Sequence, residues 1–407
     1  MTDLHSGPVD SGTEDDRMAT PCDAGTSGSG IYIHFPFCRR RCLYCDFLTF
    51  PLAEMRPGYT RAVVREAEWR AARLGGDDRG VDSIFLGGGS PSLLAIPDLS
   101  NLLQDLRARL AVMAACEISL EVNPEDVTPA AVSGWRAAGI NRISLGVQSM
   151  QTEILRRVER AGSPAMVRRA MHRLRRGGFD NINCDLILGL PGETAETWRT
   201  TLTDTLALAP DHLSVYLLEI YDNGRLSAPG TSPSNPGLAE DDLADLYLET
   251  RRTVHHSGMA QYEISNFARP GRRCRHNLKY WTLAPVLGLG AGAHSFDGRY
   301  RWRNTPDPGD YQSAVMAGQV PEDWRDDGHV RLRMEEYVFL GLRLTSGIRL
   351  ADFRRRFGRE FPAVWQRRLK KFVERNMLLF HNETLRLSPA GMLVSNEIFQ
   401  AITADDF

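Results

Sequence analysis

From Ile31 to about Phe267 the chain alternates short apolar, β-branched runs with longer stretches whose apolar positions recur at helical spacing. The short runs number six, at residues 31–35, 83–86, 117–122, 142–147, 181–188 and 212–220. Helical patterns fill residues 59–74, 99–110, 129–138, 165–176, 195–208 and 239–256. Strands that alternate with helices of this length read as parallel strands joined by helical crossovers. The segment 129–138 carries its own punctuation, with Thr128 as N-cap, Pro129 in the first turn and Gly139 to end it. Periodicity leaves open whether the six strands form an open doubly wound sheet or a partial barrel.

After Phe267 the alternation stops, and a stretch of Gly, His, Trp and Arg leads to Asn304 and the Pro-bearing Thr305-Pro306-Asp307-Pro308-Gly309. This reads as a boundary. Beyond it, residues 335–344, 350–356 and 361–375 look helical, and a short hairpin at 378–387 precedes a last helix after Ser388-Pro389. That order predicts a small helical, winged-helix-like domain. The predicted organisation is a disordered tail at 1–30, an α/β core at 31–267, a connection at 268–309 and a C-terminal domain at 310–407.

Composition narrows the class. Hydrophobic residues at 42% and charged residues at 25% suit a soluble globular protein rather than a fibre or a disordered chain. A formal net charge of -2 gives no global attraction to nucleic acid or to a membrane surface, so no nucleic-acid partner is expected. No apolar run reaches the roughly 18 residues of a spanning helix. The first residues lack the apolar stretch of a secretory signal, and Asp3, Glu14, Asp15, Asp16 and Asp23 argue against a transit peptide. Seven cysteines, an odd number with three clustered, do not read as a disulfide framework, which points to a reducing cytoplasm.

The chemistry concentrates at the ends of the short runs. Cys38, Cys42 and Cys45 form a C-x3-C-x2-C group just after the first run, three thiolates with no nearby fourth cysteine. A structural zinc site takes four protein ligands, and an electron-transfer [4Fe–4S] cluster takes one thiolate per iron. Three thiolates on such a cluster leave one iron open to a small molecule. Zinc with His34 or Asp46 as fourth ligand, a redox dithiol, and cysteines packed as small core residues are the alternatives. Gly87-Gly88-Gly89-Ser90-Pro91-Ser92 follows the second run, Glu121 ends the third, Gln148 ends the fourth, Arg160 comes soon after it, and Asp185 lies in the fifth. Singly, each reads more readily as a turn, cap or salt bridge.

Together and in this order these motifs resemble the radical S-adenosylmethionine (SAM) superfamily, and the GGGSP loop resembles the GGGTP motif of its coproporphyrinogen III oxidase branch. The resemblance implies a (β/α)6 partial TIM barrel whose carboxyl-end loops hold a [4Fe–4S] cluster on Cys38, Cys42 and Cys45. It implies SAM binding by Tyr32, Gly88, Gly89, Ser90, Glu121, Gln148, Arg160 and Asp185, with a further contact near Leu218 or Glu219. Tyr44, between two cluster cysteines, is implied to pack against adenine or to shield the cluster.

Within that branch the resemblance runs from about Ile31 to Phe399. The oxidases carry a further cysteine where this chain has Phe47, and a longer ordered amino-terminal arm. The HemW-type haem chaperones instead carry an H-N-x-x-Y-W motif, matched by His276-Asn277-Leu278-Lys279-Tyr280-Trp281. That resemblance implies haem contact by His276, Tyr280 and Trp281, delivery of haem to a respiratory membrane acceptor through which the protein associates with the membrane, and a homodimer as one arrangement. One departure is Gly162, where the family commonly has histidine. The competing reading is an oxygen-independent coproporphyrinogen III oxidase of porphyrin biosynthesis. No catalytic residue is assigned under either.

Overall fold

The computed structural model describes residues 28–55, 57–74, 80–220, 225–227 and 238–403. Apart from residues 28–30, the expected tail lies outside the described residues. The six expected strands are present as β1 (Ser29–Phe35), β2 (Val81–Gly88), β3 (Val112–Val122), β4 (Arg142–Gln148), β5 (Ile182–Leu188) and β6 (His212–Leu217). They pair in chain order and all run parallel. Crossovers are made by α1 (Tyr59–Leu74), α2 (Ile96–Arg109), α3 (Pro129–Ala138), the short α4 (Thr152–Arg157) with α5 (Pro164–Arg176), and α6 (Ala195–Leu206), with α7 (Glu240–His256) after β6. α3 starts as its sequence demands, the Thr128 hydroxyl accepting from Ala131 N at 3.1 Å. The result is a (β/α)6 partial barrel.

Side chains alternate across a strand, so each strand has two faces with separate jobs. Ile31, Ile33 and Phe35, Ile84 and Leu86, Ile118 and Leu120, Ile143 and Leu145, Cys184 and Leu186, and Leu213 and Val215 belong to the buried apolar core. The intervening positions are largely polar: Tyr32 and His34, Ser83, Glu117 and Glu121, Arg142 and Ser144, Asn183 and Asp185, and His212 and Ser214. These line the inside of the barrel.

The sheet does not end near Phe267 as the loss of alternation predicts. β7 (Ala260–Glu263) and β8 (Asn266–Ala268) extend it antiparallel beyond β6. On the other side β9 (Val286–Leu289) pairs parallel with β1, followed by antiparallel β10 (His294–Phe296), β11 (Arg301–Asn304) and β12 (Glu322–Arg325), giving twelve strands in all. Strands of three or four residues are too short to declare a period, and β9 takes its register from a strand more than 250 residues earlier. Residues 268–309 thus contribute β9, β10 and β11 to the same sheet and hold a helix at Arg275–Trp281. After α9 (Pro308–Met316) and α10 (Val330–Arg343), a three-stranded sheet of β13 (Ile348–Arg349), β14 (Leu378–His381) and β15 (Thr384–Leu387) packs with α11 (Leu350–Phe357), α12 (Ala363–Glu374), α13 (Pro389–Leu393) and α14 (Ser395–Thr403). Phe353, Phe361 and Trp365 meet edge to face in its core.

The amino-terminal end of the barrel is closed by α8 (Arg275–Trp281). Glu117 on β3 accepts from the first backbone amides of that helix, Arg275 N and His276 N, each at 3.2 Å. A carboxylate there satisfies donors that have no partner within the helix and faces the positive end of its dipole. Lys279, fully buried, reaches Asp82 Oδ1 at 2.5 Å and Gly28 O at 2.7 Å. Gly30 makes room, since a Cβ there would come 2.7 Å from Lys279 Cδ. Removing one member of a buried ion pair strands the other. Lys279→Met should therefore lower unfolding free energy by about 3–5 kcal/mol in chemical denaturation. A loss under about 1 kcal/mol, the scale of an exposed pair, would contradict the placement of α8.

Candidate functional site

The opposite, carboxyl-terminal end of the barrel carries the cysteine loop. Phe37-Cys38 pairs with Phe50-Pro51, pinching the loop at its base. Leu43 N donates to Val158 O at 3.0 Å, Arg41 Nε to Cys45 O at 2.9 Å, and Arg40 pairs with Glu159 at 3.1 Å. Arg39 pairs with the buried Asp126. Cys38 and Cys42 are buried, Cys45 is half-buried, and none is in a disulfide. Burial pushes the Cys38 and Cys45 thiols up, and Cys42 adds to both shifts, so the three sulfurs share one electrostatic neighbourhood. Among the described residues no three Cys, His, Asp or Glu side chains converge as a preformed metal site. His34, one zinc candidate, gives Nε2 to Leu48 O at 3.2 Å, and Asp46 is exposed. Three reduced soft donors in one short loop fit a three-thiolate iron–sulfur cluster better than a four-ligand zinc site.

The glycine loop lies directly against this segment. Gly89 N donates to Phe35 O and Ser90 N to Phe37 O, both at 2.8 Å. A Cβ on Gly89 would come 2.6 Å from Phe37 O, and one on Gly88 (φ +106°) 2.7 Å from His34 Nε2. The glycines are there because two backbones touch. The same stripping leaves Gly88 N free to donate to Glu121 Oε2 at 3.0 Å. Ser90 Oγ accepts from Asn123 Nδ2 at 3.0 Å.

Two inner-face carboxylates stand near this loop under different restraint. Asp185 accepts from Ser144 Oγ at 2.9 Å and Asn183 Nδ2 at 2.8 Å. Burial pushes its carboxyl up, while the hydrogen bonds from Ser144, Ser214 and Asn183 pull it back. Glu121 has the Gly88 amide alone as hydrogen-bond donor among the described residues, and burial followed by repulsion from Asp185 pushes it up to about 8. Gln148 takes φ +65° where the β4–β5 register shifts, which turns the chain at the strand end. Arg160 ties the region together: one Nη donates to Asn123 Oδ1 and to Gly146 O, both at 2.8 Å, and the guanidinium also reaches the Cys42 thiol. Tyr44 packs against the apolar group of Ile154, Val158, Ile187 and Leu190, with Leu218 at its edge. At Gly162 an added Cβ would meet nothing within 4 Å, though φ +134° suits glycine.

Eight expected cofactor-binding positions, Tyr44, Gly88, Gly89, Ser90, Glu121, Gln148, Arg160 and Asp185, are therefore brought together with the cysteines. Tyr32 sits a layer lower, its ring 5.8 Å from His34, 6.3 Å from Phe85 and 6.3 Å from His276. His276 is 1% exposed, with Nδ1 3.1 Å from Ser83 Oγ and Nε2 3.0 Å from Tyr280 OH. Burial, then Lys279, pushes it down to about 3. Both ring nitrogens of His276 are engaged inside the floor, so haem contact there would require these bonds to open. Tyr280 completes the same bond, and Trp281 lies under the Arg343 guanidinium at 4.4 Å. Sequence reasoning also missed Glu117, Arg142, Asn183 and the chain from Asn183 Oδ1 through His212 to Tyr262 OH, at 2.7 and 2.8 Å. Polar residues at every second position of an apolar run were the available signal.

Comparison with known proteins agrees with this geometry. The radical SAM superfamily pattern matches residues 32–205, and that of the HemN C-terminal domain matches residues 331–394. Heme chaperone HemW of Bacillus subtilis is 31% identical over 388 residues, covering 92% of this chain and 99% of the relative. Heme chaperone HemW of Mycobacterium tuberculosis is 33% identical, covering 92% and 94%. Among solved structures, coproporphyrinogen III oxidase (HemN) from Escherichia coli superposes with a TM-score of 0.81 at 23% identity, covering 94% of this chain and 92% of that one. That likeness carries the fold. Near-full-length identity above 30%, with the thiol loop, glycine loop and carboxylates assembled at one barrel end, places the chain in the radical SAM superfamily and, within its HemN-like branch, in the HemW family.

Proposed function

We propose that the protein carries haem as cargo to an acceptor, a respiratory membrane protein, and holds a [4Fe–4S] cluster and SAM at the carboxyl end of its barrel. The supporting observation is the full-length similarity to relatives named heme chaperones, which spans both the thiol loop and the floor helix. Cys38, Cys42 and Cys45 would hold the cluster. The Gly88 and Gly89 backbone, Ser90, Glu121, Gln148, Arg160 and Asp185 would hold SAM, with Tyr32 supporting them from the layer beneath. When bound, cluster and SAM together supply one-electron chemistry. The chain's own part is to orient and exclude. Glu121, with a single donor, is the carboxylate with capacity left for ribose hydroxyls. Arg160 fixes the strand ends to the cysteine loop, and Tyr44 with its apolar neighbours keeps water from the thiols.

The oxidase reading gains little, because likeness at 23% identity shows the fold alone. Phe47 stands where the oxidases have a further cysteine and is 69% exposed. No helix among the described residues is long and apolar enough to cross a membrane, so delivery to a membrane acceptor would proceed by docking.

Below about pH 8 the Glu121 carboxyl of the SAM-free protein is protonated, and the ionised form is the better acceptor. SAM binding should release a proton, so affinity should climb from pH 6.5 to about 8 and then level. In Glu121→Gln, titration should show SAM weakened by roughly tenfold or more and the slope abolished. A wild-type affinity flat across that range would refute the role. For the function itself, the anaerobically reconstituted protein without reductant should bind ferric haem, and with SAM and reductant it should leave coproporphyrinogen III unchanged. Robust formation of protoporphyrinogen IX would overturn the carrier reading.

A further inference from the structure

The barrel's inner face does not stop at β1. Register places Gly288 opposite Tyr32, and a Cβ on Gly288 would come 2.2 Å from His294 O. His294 in turn opposes Arg303, and Arg303 opposes Trp324. Directly opposed residues on paired strands point the same way. A row of His294, Arg303 and Trp324 therefore continues the inner face outward along β10, β11 and β12, across the open side of the barrel.

This row differs from the interior in what it leaves free. His34, His212 and His276 are buried and hydrogen-bonded through their rings. The exposed His294 has no hydrogen-bond partner on its ring among the described residues. A neutral imidazole can ligate a metal through a ring nitrogen. The Trp324 ring lies 6.5 Å from it, tilted by 51°, and is 44% exposed. Arg303 spends Nε and Nη2 on Asp323, at 3.0 and 2.7 Å, which among the described residues leaves Nη1 for another anion. The row also borders the cysteine loop: a Cβ on Gly292 would come 2.4 Å from Leu48 Cδ2.

A neutral imidazole, a flat apolar ring and a cation in one row match a flat metalloporphyrin with its anionic side chains. We propose that His294 is the axial ligand through which this chain takes up haem iron, with Trp324 covering the porphyrin and Arg303 meeting a propionate. One ring-nitrogen lone pair fills one axial position of the iron, and nothing is oxidised or reduced. The inference rests on the haem-carrier reading and adds to it an iron ligand on the exposed face, apart from His276 in the floor.

The test titrates ferric haem into the anaerobically reconstituted full chain, following affinity by absorbance and the axial ligand by resonance Raman and electron paramagnetic resonance. His294→Gly should weaken haem by at least about tenfold, the lower end of what a lost supporting partner costs a metal site. It should also lose the nitrogen-ligand signature, and added imidazole should restore that signature. If His294→Gly binds haem with wild-type affinity and an unchanged ligand spectrum, the assignment is wrong while the carrier reading stands. If the wild type binds no haem, the carrier reading fails and takes the assignment with it.

Discussion

Glu117 caps a helix from inside a barrel, and the polar interior depends on that contact. A parallel strand with one polar face is unstable unless those groups find partners, because an unpaired buried donor or acceptor costs about 1–3 kcal/mol. Here Glu117, Asp82 and Ser83 at the strand starts find partners on α8, whose first amides sit on Glu117, whose Lys279 pairs with Asp82, and whose His276 bonds Ser83. Each contact joins a strand start to the plug. A closed floor lets the same strands present less satisfied groups at their other ends.

The contrast between the two ends is the basis of the functional reading. At the floor every hydrogen-bonding position of His276 is occupied. At the carboxyl end Asp185 is braced by several donors, whereas Glu121 has one and is pushed up by its surroundings. A carboxylate kept short of partners is a binding group in waiting, and Arg160 holds the cysteine loop over it. Beyond β1 the row at His294 repeats that logic on the exterior, with a ring nitrogen and a guanidinium nitrogen left unpaired among the described residues.

The apolar face made most of the barrel legible in the sequence. Residues 59–74 and 129–138 fold as helices with the expected limits, and the six strands fall where β-branched runs stand. Motif residues at strand ends were legible for the same reason, since a parallel barrel gathers those ends. The strands β9 to β12 were not, because three or four residues carry no period and their partners lie far off in sequence. The hydrogen bonding of His276 was also beyond the sequence. An H-N-x-x-Y-W segment reads the same whether its histidine faces a ligand or bonds its own tyrosine one turn later.

Hydrogen exchange on the backbone amides of α8, measured with and without ferric haem, tests the central claim that this helix is the barrel's floor. His276 and its neighbours should be as protected as the strands β1 and β2 without haem, and haem should leave that protection unchanged. Exchange at loop rates without haem, becoming slow only when haem is bound, would show that the helix forms around the cargo and would contradict that claim.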